Sequence, residues 1–452
     1  MLRFYPSISH VMNNFREING SQTGILKSIV APVTQMNKEP FIKSVTGSMP
    51  SYHRIILKDP TRDMNYHLSG YGQYYPEALV KFNGEGVERY AGVVASSYAS
   101  GCVKYDSYEN ISKEGKTMPL EYLNIFSEKQ QRQMASLLPQ YNPEHLKKDQ
   151  VIGWVKAHSL VNPGEDIWVP RQQFFVGYNH AEGPGEPIIV PSFSTGTAAH
   201  KTVKKALINA ITEYLQIDAF ILTWYTERKS KRVIIDNPTI NRILEESGLG
   251  KNGSYDVIPF LISMPDINIP VYMSILKRKE HKTPYMVVGT QGDMDAEYGV
   301  LRGIMESTAI IAMNTFMMVF DAEKFDFAIN ESAFTDLDTN VYFYGAPVKI
   351  EEKERIIQQL TGEDILLSDI PSLRGYSTDE ILEKLILEVK KISEYAVYLD
   401  ITPPEVSDKG WSVIRVFIPE ICGMCLPGFP FCNHPRVKKY GGVTNVFPHP
   451  LP

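Results

Sequence analysis

Between residues 77 and 419 the chain switches repeatedly between two hydrophobic periods, and this alternation restricts its folds more than any other feature. Apolar residues recur at helical spacing over 77–94, 128–137, 200–220, 296–320, 351–360 and 378–394. β-Branched and aromatic runs occupy 187–193, 256–264, 269–277, 285–291, 341–345, 395–401 and 413–419. Interleaved periods of this kind bury helices against sheets, so the expected class is α/β in the mixed α+β sense. The best-defined element starts after Ser377. There Ser377 and Glu380 make a capping box, and Leu382, Leu385, Val389 and Ile392 trace one apolar face, the pattern of a scaffold helix.

The 452 residues allow about three compact units or one large enzyme domain with embellishments. Hydrophobic residues at 43% and charged residues at 22% are globular values, which excludes a disordered or fibrous chain. A net charge of −6 offers nucleic acid no global attraction, and the basic clusters Arg228, Lys229, Lys231, Arg232 and Lys277, Arg278, Lys279 read as solvated loops. Four cysteines are too few for a disulfide scaffold, and the opening MLRFYPSISHVMNNF lacks the apolar core of a signal peptide. The expectation is a cytoplasmic protein with free thiols. The longest apolar run, Ala309–Phe320, is interrupted by Asn314 and Thr315 and is too short to span a bilayer. Residues 1–60 show weak periodicity, whereas 402–452 are rich in Pro, Gly and aromatics.

Familiar catalytic signatures are absent. There is no HExxH, GxSxG or GxGxxG, and GLGKNGS at 248–254 lacks the spacing of a phosphate-binding Walker loop. What remains is a set of carboxylates and amides at helical spacing. In the helix near 77–94, Lys81, Glu85, Glu88 and Arg89 share a sector of about 100°, opposite Leu79, Val80, Val87, Tyr90 and Val94. Gly84 and Gly86 each cost roughly 1 kcal/mol inside a helix, so their presence points to close backbone approach. In the helix 200–220, Asn209, Glu213 and Gln216 lie together beside the stripe Val203, Leu207, Ala210, Ile211 and Tyr214. The small-residue loop SFSTGTAA at 192–199 is expected to enter that helix, where free N–H groups suit a phosphate. Two helices offering oxygen ligands match Mg²⁺ bridged to nucleotide phosphates. Arg302 and Glu306, one turn apart, form either a phosphate-facing pair or a surface ion pair. An amphipathic surface helix and a plain N-cap loop stay open as the simpler readings of the first two features.

In this order, EGVERYAG (85–92), STGTAAHKTVKKALINAITEYLQIDAF (194–220), GVLRGIMES (299–307) and VIRVFIPE (413–420) resemble the YcaO family over residues 60–452. The terminal PHPLP, with Pro448, Pro450 and Pro452, is similar to the proline-rich carboxyl terminus of the family's azoline-forming members. The resemblance implies a YcaO-type fold with an N-terminal lead-in lobe (1–60), an ATP-binding core (61–401) and a C-terminal segment (402–452) whose tail enters the active site. It implies an ATP- and Mg²⁺-dependent cyclodehydratase that converts Cys, Ser or Thr of a ribosomally made precursor peptide into thiazoline or oxazoline. Glu85, Glu88, Glu213 and Gln216 would be the metal ligands. Arg89, Asn209, Lys81, Arg302 and Glu306 would be the nucleotide contacts, and Pro448, Pro450 and Pro452 would place the terminal carboxylate as a base or orienter.

The size is similar to the streptolysin S type. That likeness implies a separate leader-binding, ubiquitin-activating-like subunit and an FMN-dependent dehydrogenase in one complex. Three positions depart from the family pattern. Tyr71 stands in Gly70-Tyr71-Gly72 where Lys is expected, Lys81 where Ser is expected, and Ala309 where Gln is expected. Lys81 would then supply the ammonium from the helix, or else nucleotide use is altered. A nucleotide-binding scaffold without turnover and a thioamide-forming enzyme are the alternatives, and the PHPLP terminus counts against the second. Cys422, Cys425, Cys432 and His434 have the ligand types of a structural zinc site, but the CxH second pair favours free thiols.

Overall fold

Sheets and helices here each have an apolar face to bury, and among the described residues they are buried in three sheets with helices between and around them. The computed structural model describes residues 7–20, 24–26, 31–32, 39–40, 42–59, 66–179, 185–330 and 333–452. Part of the lead-in lobe, including the first six residues of the opening segment, lies outside them. β1 (Ala31–Pro32), β2 (Lys43–Ser48) and β3 (His67–Gly72) form an antiparallel sheet in that order. A second sheet runs β4 (Val103–Ser107), β5 (Val151–Ser159), β13 (Val397–Asp400), β14 (Ser412–Phe417) and β7 (Thr197–His200), with β6 (Asp166–Pro170) also paired to β5. The third runs β11 (Met286–Gly292), β10 (Val271–Arg278), β9 (Tyr255–Leu261), β8 (Ser230–Ile234) and β12 (Thr361–Leu366). In it the β12–β8 pair is parallel.

The principal helices are α1 (Ile8–Ile18), α2 (Tyr75–Tyr98), α3 (Glu128–Leu137), α4 (Val203–Tyr225), α5 (Ala296–Phe320), α6 (Thr339–Gly345), α7 (Ile350–Leu360) and α8 (Thr378–Lys390). α4 is the hinge of the architecture. It packs on β14 and β7 on one side and on β10 and β11 on the other, so every side chain from Ile217 to Tyr225 is buried. α2 lies across β3 and α5 across β10 and β11. Two glycines permit these approaches. A Cβ at Gly70 would sit 1.9 Å from the Ala78 carbonyl oxygen of α2, and one at Gly289 would sit 2.6 Å from the Gly303 oxygen of α5.

Two sequence expectations are corrected. Residues 187–193 are extended but join no sheet. Pro187 and Pro191 have no N–H to give a ladder, and the amides of Ile189 and Val190 donate instead to the Gln172 side-chain oxygen. Residues 341–345 are helical. The Asp336 carboxylate accepts the Thr339 N–H at the start of α6, and all of Thr339–Gly345 is buried, so packing overrides the β preference of Val341, Tyr342, Phe343 and Tyr344.

Candidate active site

Three helices bring carboxylates to one place. Their ends are set by ordinary local chemistry, with Pro76 in the first turn of α2, the Thr202 hydroxyl capping α4 and the Asp295 carboxylate capping α5. On α2, Glu85 accepts the backbone N–H of Ser69 in β3 at 2.8 Å and stands 3.7 Å from Arg89. Arg89 in turn donates to the Ser194 hydroxyl. On α4, Glu213 accepts the N–H of Gly196 at 3.3 Å. One turn on, the Gln216 amide is fixed against β11: its nitrogen donates to the Thr290 hydroxyl at 2.8 Å and its oxygen accepts the Gly292 N–H at 2.8 Å. On α5, Glu306 accepts the Thr290 N–H at 2.8 Å.

The charges register one another. Burial and then the Glu213 charge hold the Glu88 carboxyl well above the ordinary range, with Arg89 opposing. Burial raises Glu213 to about 7, Glu306 adding to the rise while Arg89, the Gly196 N–H and Arg415 oppose it. Burial raises Glu306 to about 7 as well, with Glu85 adding and the Thr290 N–H, Arg302 and Lys81 opposing. Burial opposes the ionisation of these carboxylates more than Arg89, Arg302 and Lys81 favour it, and a divalent cation would favour the ionised forms further. Among the described residues no three His, Cys, Asp or Glu side chains close on one point as a metal cage. The donor set fits a cation that takes one or two protein carboxylates and fills its shell with phosphate and water oxygens, as Mg²⁺ does.

Beside the carboxylates lies a cationic corner. Lys81 stands 3.1 Å from Glu77 and 4.2 Å from the centroid of the Tyr71 ring, and burial together with the neighbouring Arg302 pushes its ammonium down to about 8. The Tyr71 hydroxyl is hydrogen-bonded to Arg302, which also lies near Glu306. The structure therefore gathers Lys81, Glu85, Glu88, Arg89, Glu213, Gln216, Arg302 and Glu306. Asn209 is exposed, one turn before Glu213.

One expectation about this region is corrected, and one alternative finds no support. The loop at 192–199 does not enter a helix. It runs into β7, α4 begins only at Val203, and Gly196, at φ +82°, turns its N–H onto Glu213. The disfavoured zinc site at Cys422, Cys425, Cys432 and His434 has no support among the described residues. His434 spends one ring nitrogen donating to the Pro419 carbonyl at 3.0 Å and the other accepting the Arg436 N–H at 3.1 Å, which caps the short helix Pro435–Lys439. Its distance to the Cys422 sulfur is 4.0 Å, and all four cysteines are free thiols.

Arg415 was not singled out by its sequence. Fully buried, it donates to the carbonyls of Gln173, Phe174, Phe193 and Thr195 and to the Thr197 hydroxyl, pinning the loop that faces Arg89 and Glu213. A lone arginine in the apolar run VIRVFI was the available signal. The tail packs against Phe220, Trp224 and Tyr225 in the last turns of α4, with Pro448 and Pro450 buried and Pro452 exposed.

The chain matches the family model for YcaO cyclodehydratases, described as ATP- and Mg²⁺-binding, over residues 69–422. It belongs to the YcaO family. No curated protein sequence matches this YcaO chain. Among solved structures, a heterocyclase in complex with substrate and cofactor shares the fold at TM-score 0.70 and 16% identity, over 100% of this chain and 59% of that one. The chain thus spans under two thirds of that protein's length. YcaO from Methanopyrus kandleri, bound with AMPPCP and Mg²⁺, aligns at TM-score 0.57 and 15% identity, over 92% of this chain and 89% of that one. A chain of the E. coli microcin synthetase McbBCD complex aligns at TM-score 0.57 and 11% identity, over 93% and 91%. Among the described residues no helix is long and apolar enough to cross a membrane.

Proposed function

We propose that this YcaO protein is an ATP- and Mg²⁺-dependent peptide cyclodehydratase that forms azolines. The observation that carries the reading is the convergence of Glu85 and Glu88, Glu213 and Glu306 from three helices, flanked by Arg89, Lys81 and Arg302. Glu85, Glu88, Glu213 and Gln216 would hold Mg²⁺, with no more than two of the carboxylates on any one ion, and the Gln216 oxygen keeps a second lone pair for it. Arg89, Arg302 and Lys81 would hold phosphate oxygens, with Glu306 orienting Arg302 and Asn209 at the exposed mouth. When bound there, Mg²⁺ would offset charge on the transferring phosphoryl group.

In the substrate, a Cys thiol or a Ser or Thr hydroxyl attacks the preceding amide carbonyl. The resulting oxyanion takes the γ-phosphoryl group of ATP, and phosphate leaves in place of hydroxide. The ring nitrogen loses its proton, so the peptide loses one water while ATP becomes ADP and phosphate. Pro448, Pro450 and Pro452 would bring the terminal carboxylate to serve as base or orienter.

The likeness to a chain of the microcin synthetase complex supports work within a complex of subunits; the partners we propose are those the family resemblance implies, a separate leader-binding, ubiquitin-activating-like subunit and an FMN-dependent dehydrogenase. Four free thiols suit a reducing, cytoplasmic compartment. Tyr71, bonded to Arg302 where the family pattern has lysine, favours one second reading, a nucleotide-binding subunit without turnover. Incubating the chain with its partner, precursor peptide and Mg-ATP, then weighing the peptide by mass spectrometry, separates them. Losses of one water per ring support the enzyme, whereas nucleotide binding with an unchanged peptide mass supports the scaffold.

A further inference from the structure

The loop that carries Ser194 and Gly196 to the carboxylates has a second side. Ser194 meets Arg89 and the Gly196 N–H meets Glu213, whereas the alternate residues Phe193 and Thr195 line a hollow of about 50 Å³ behind the loop. α4 divides in the same way, with Glu213 in the site and its neighbour Tyr214 on the wall of the hollow. Phe417 of β14 and Met424 add further walls, and the Met424 N–H donates to the Thr195 hydroxyl at 3.2 Å. Phe193 and Met424 are partly exposed, so the hollow opens at the rim of the site, beside Ser194.

The walls specify what fits. Arg415 has spent its N–H groups on four carbonyls and the Thr197 hydroxyl, and His434 has spent both ring nitrogens. Neither keeps a donor for an anionic side chain, and the guanidinium charge repels a cationic one. The rest is aromatic and aliphatic surface, which takes a neutral side chain. A single water needs roughly 10–15 Å³, so the space admits the few heavy atoms of Ala, Val or Thr and excludes an aromatic ring. Gln173, on the same wall, donates its amide N–H to the Tyr122 carbonyl at 2.9 Å and keeps a side-chain oxygen without a partner among the described residues, an acceptor for an entering N–H. Tyr122 also borders a second hollow of about 460 Å³ beside Lys391 and Lys439. These lysines pair with Glu388 and Asp266 at 2.6 and 2.7 Å, so the second hollow is polar but has its charges matched. A narrow apolar hollow at the site, continued by a wide polar one, fits an extended peptide better than a compact small molecule.

We propose that the hollow behind residues 193–195 is the subsite for the side chain of the precursor residue whose carbonyl is attacked, the one before the cyclised Cys, Ser or Thr, and that Phe193 and Met424 set the size it accepts. That side chain is joined to the attacked carbon through a single Cα, so a carbonyl presented beside Arg89 and Glu213 brings it to the loop. The identity of the occupant rests on the function proposed above.

In the full-length chain labelled at its methionine methyls, with Mg²⁺ and AMPPCP added, the Met424 resonance is identified by its loss in Met424→Leu. It should move on titration with acetyl-Gly-Val-Cys-Gly amide and stay in place with the peptides carrying Phe or Lys instead of Val. A Met424 methyl that ignores the valine peptide, or follows all three alike, overturns the subsite. With the partner subunit present, kcat/KM for ring formation should fall roughly tenfold when the residue before the cyclised Cys changes from Val to Phe, and Met424→Ala should narrow that ratio by roughly threefold or more with the ATP KM unmoved. Phe193→Ala serves in its place if Met424→Ala loses native near-ultraviolet dichroism. An unchanged ratio in a natively folded variant also overturns the subsite. If no precursor is cyclised while the Met424 methyl still follows the valine peptide alone, the peptide subsite stands and the cyclodehydratase reading falls.

Discussion

Glu213 illustrates how a single residue's meaning depends on its surroundings. On its helix it is one carboxylate between two amides, and in the fold it meets Arg89, the Gly196 N–H and the charges of Glu88 and Glu306. Replacing Glu213 or Glu85 by Gln removes charge but not volume. We expect ring formation to fall by at least about 100-fold with an unchanged melting temperature, a loss typical of removing a group that stabilises the transferring phosphoryl. Wild-type ring yield by mass spectrometry in either variant would take that residue out of the site. Arg415 belongs to the same scale but to a different role. Burial lowers its guanidinium to about 10, and its donors satisfy four carbonyls and a hydroxyl. Arg415→Met leaves those acceptors unpaired, so we expect a loss of about 3 kcal/mol or more in urea unfolding. A variant as stable as the parent would show that the loop 192–197 is held by something else.

Helix ends were readable one element at a time. The box at Ser377 is present as expected, with the Ser377 hydroxyl accepting the Glu380 N–H at 3.3 Å and the Glu380 carboxylate accepting the Ser377 N–H at 2.7 Å. α3 and α5 begin and end where their periodicity placed them. The C-terminal segment carries two histidines whose burial lowers them to about 4, His434 as the cap of the last short helix and His449 within the tail. A folded-state value below the unfolded 6.5 means that the unfolded chain binds more protons between pH 6.5 and 4. The stability these neutral rings allow is fully present above pH 6.5, is lost as pH falls toward 4, and changes little from this source below that. Each histidine accounts for about 3 kcal/mol over that window. Glu213 and Glu306, raised to about 7, act with the opposite sign over the same range, so the histidine contribution is read as a difference: the melting temperature of the parent should fall relative to that of His434→Asn from pH 6.5 to 4. A constant difference between the two over that range would mean that the ring accepts a proton in place.

At the scale of the molecule, the site is assembled by contacts between the sheets. α4 brings Glu213 and Gln216 to it because β7 and β14 hold one side and β10 and β11 the other. If a separate subunit captures the leader, this chain by itself should bind precursor peptide weakly, and co-purification with that subunit should raise apparent affinity at least tenfold. Tight leader binding by the chain alone in calorimetry would contradict that division of labour.

Helical spacing is a local property, so the sequence by itself determined that Glu85, Glu88 and Arg89 share one face of a helix, that Glu213 and Gln216 share another, and that Ser377 starts a third. It also excluded a membrane helix in the run at 309–320, because Asn314 and Thr315 break that run. Only the tertiary structure decided what lay more than a helical turn apart along the chain. Residues 341–345 became a helix because packing outweighed a β preference of at most about 1 kcal/mol per residue. The loop at 192–199 passed into a strand because β14 was there to pair with it. Arg415 reached across more than two hundred residues to the carbonyls it satisfies, and Asn340 found the tail 109 and 111 residues away. No periodicity encodes such distances. They follow from which buried polar groups the packed core leaves to be satisfied, and that is known only once the core has formed.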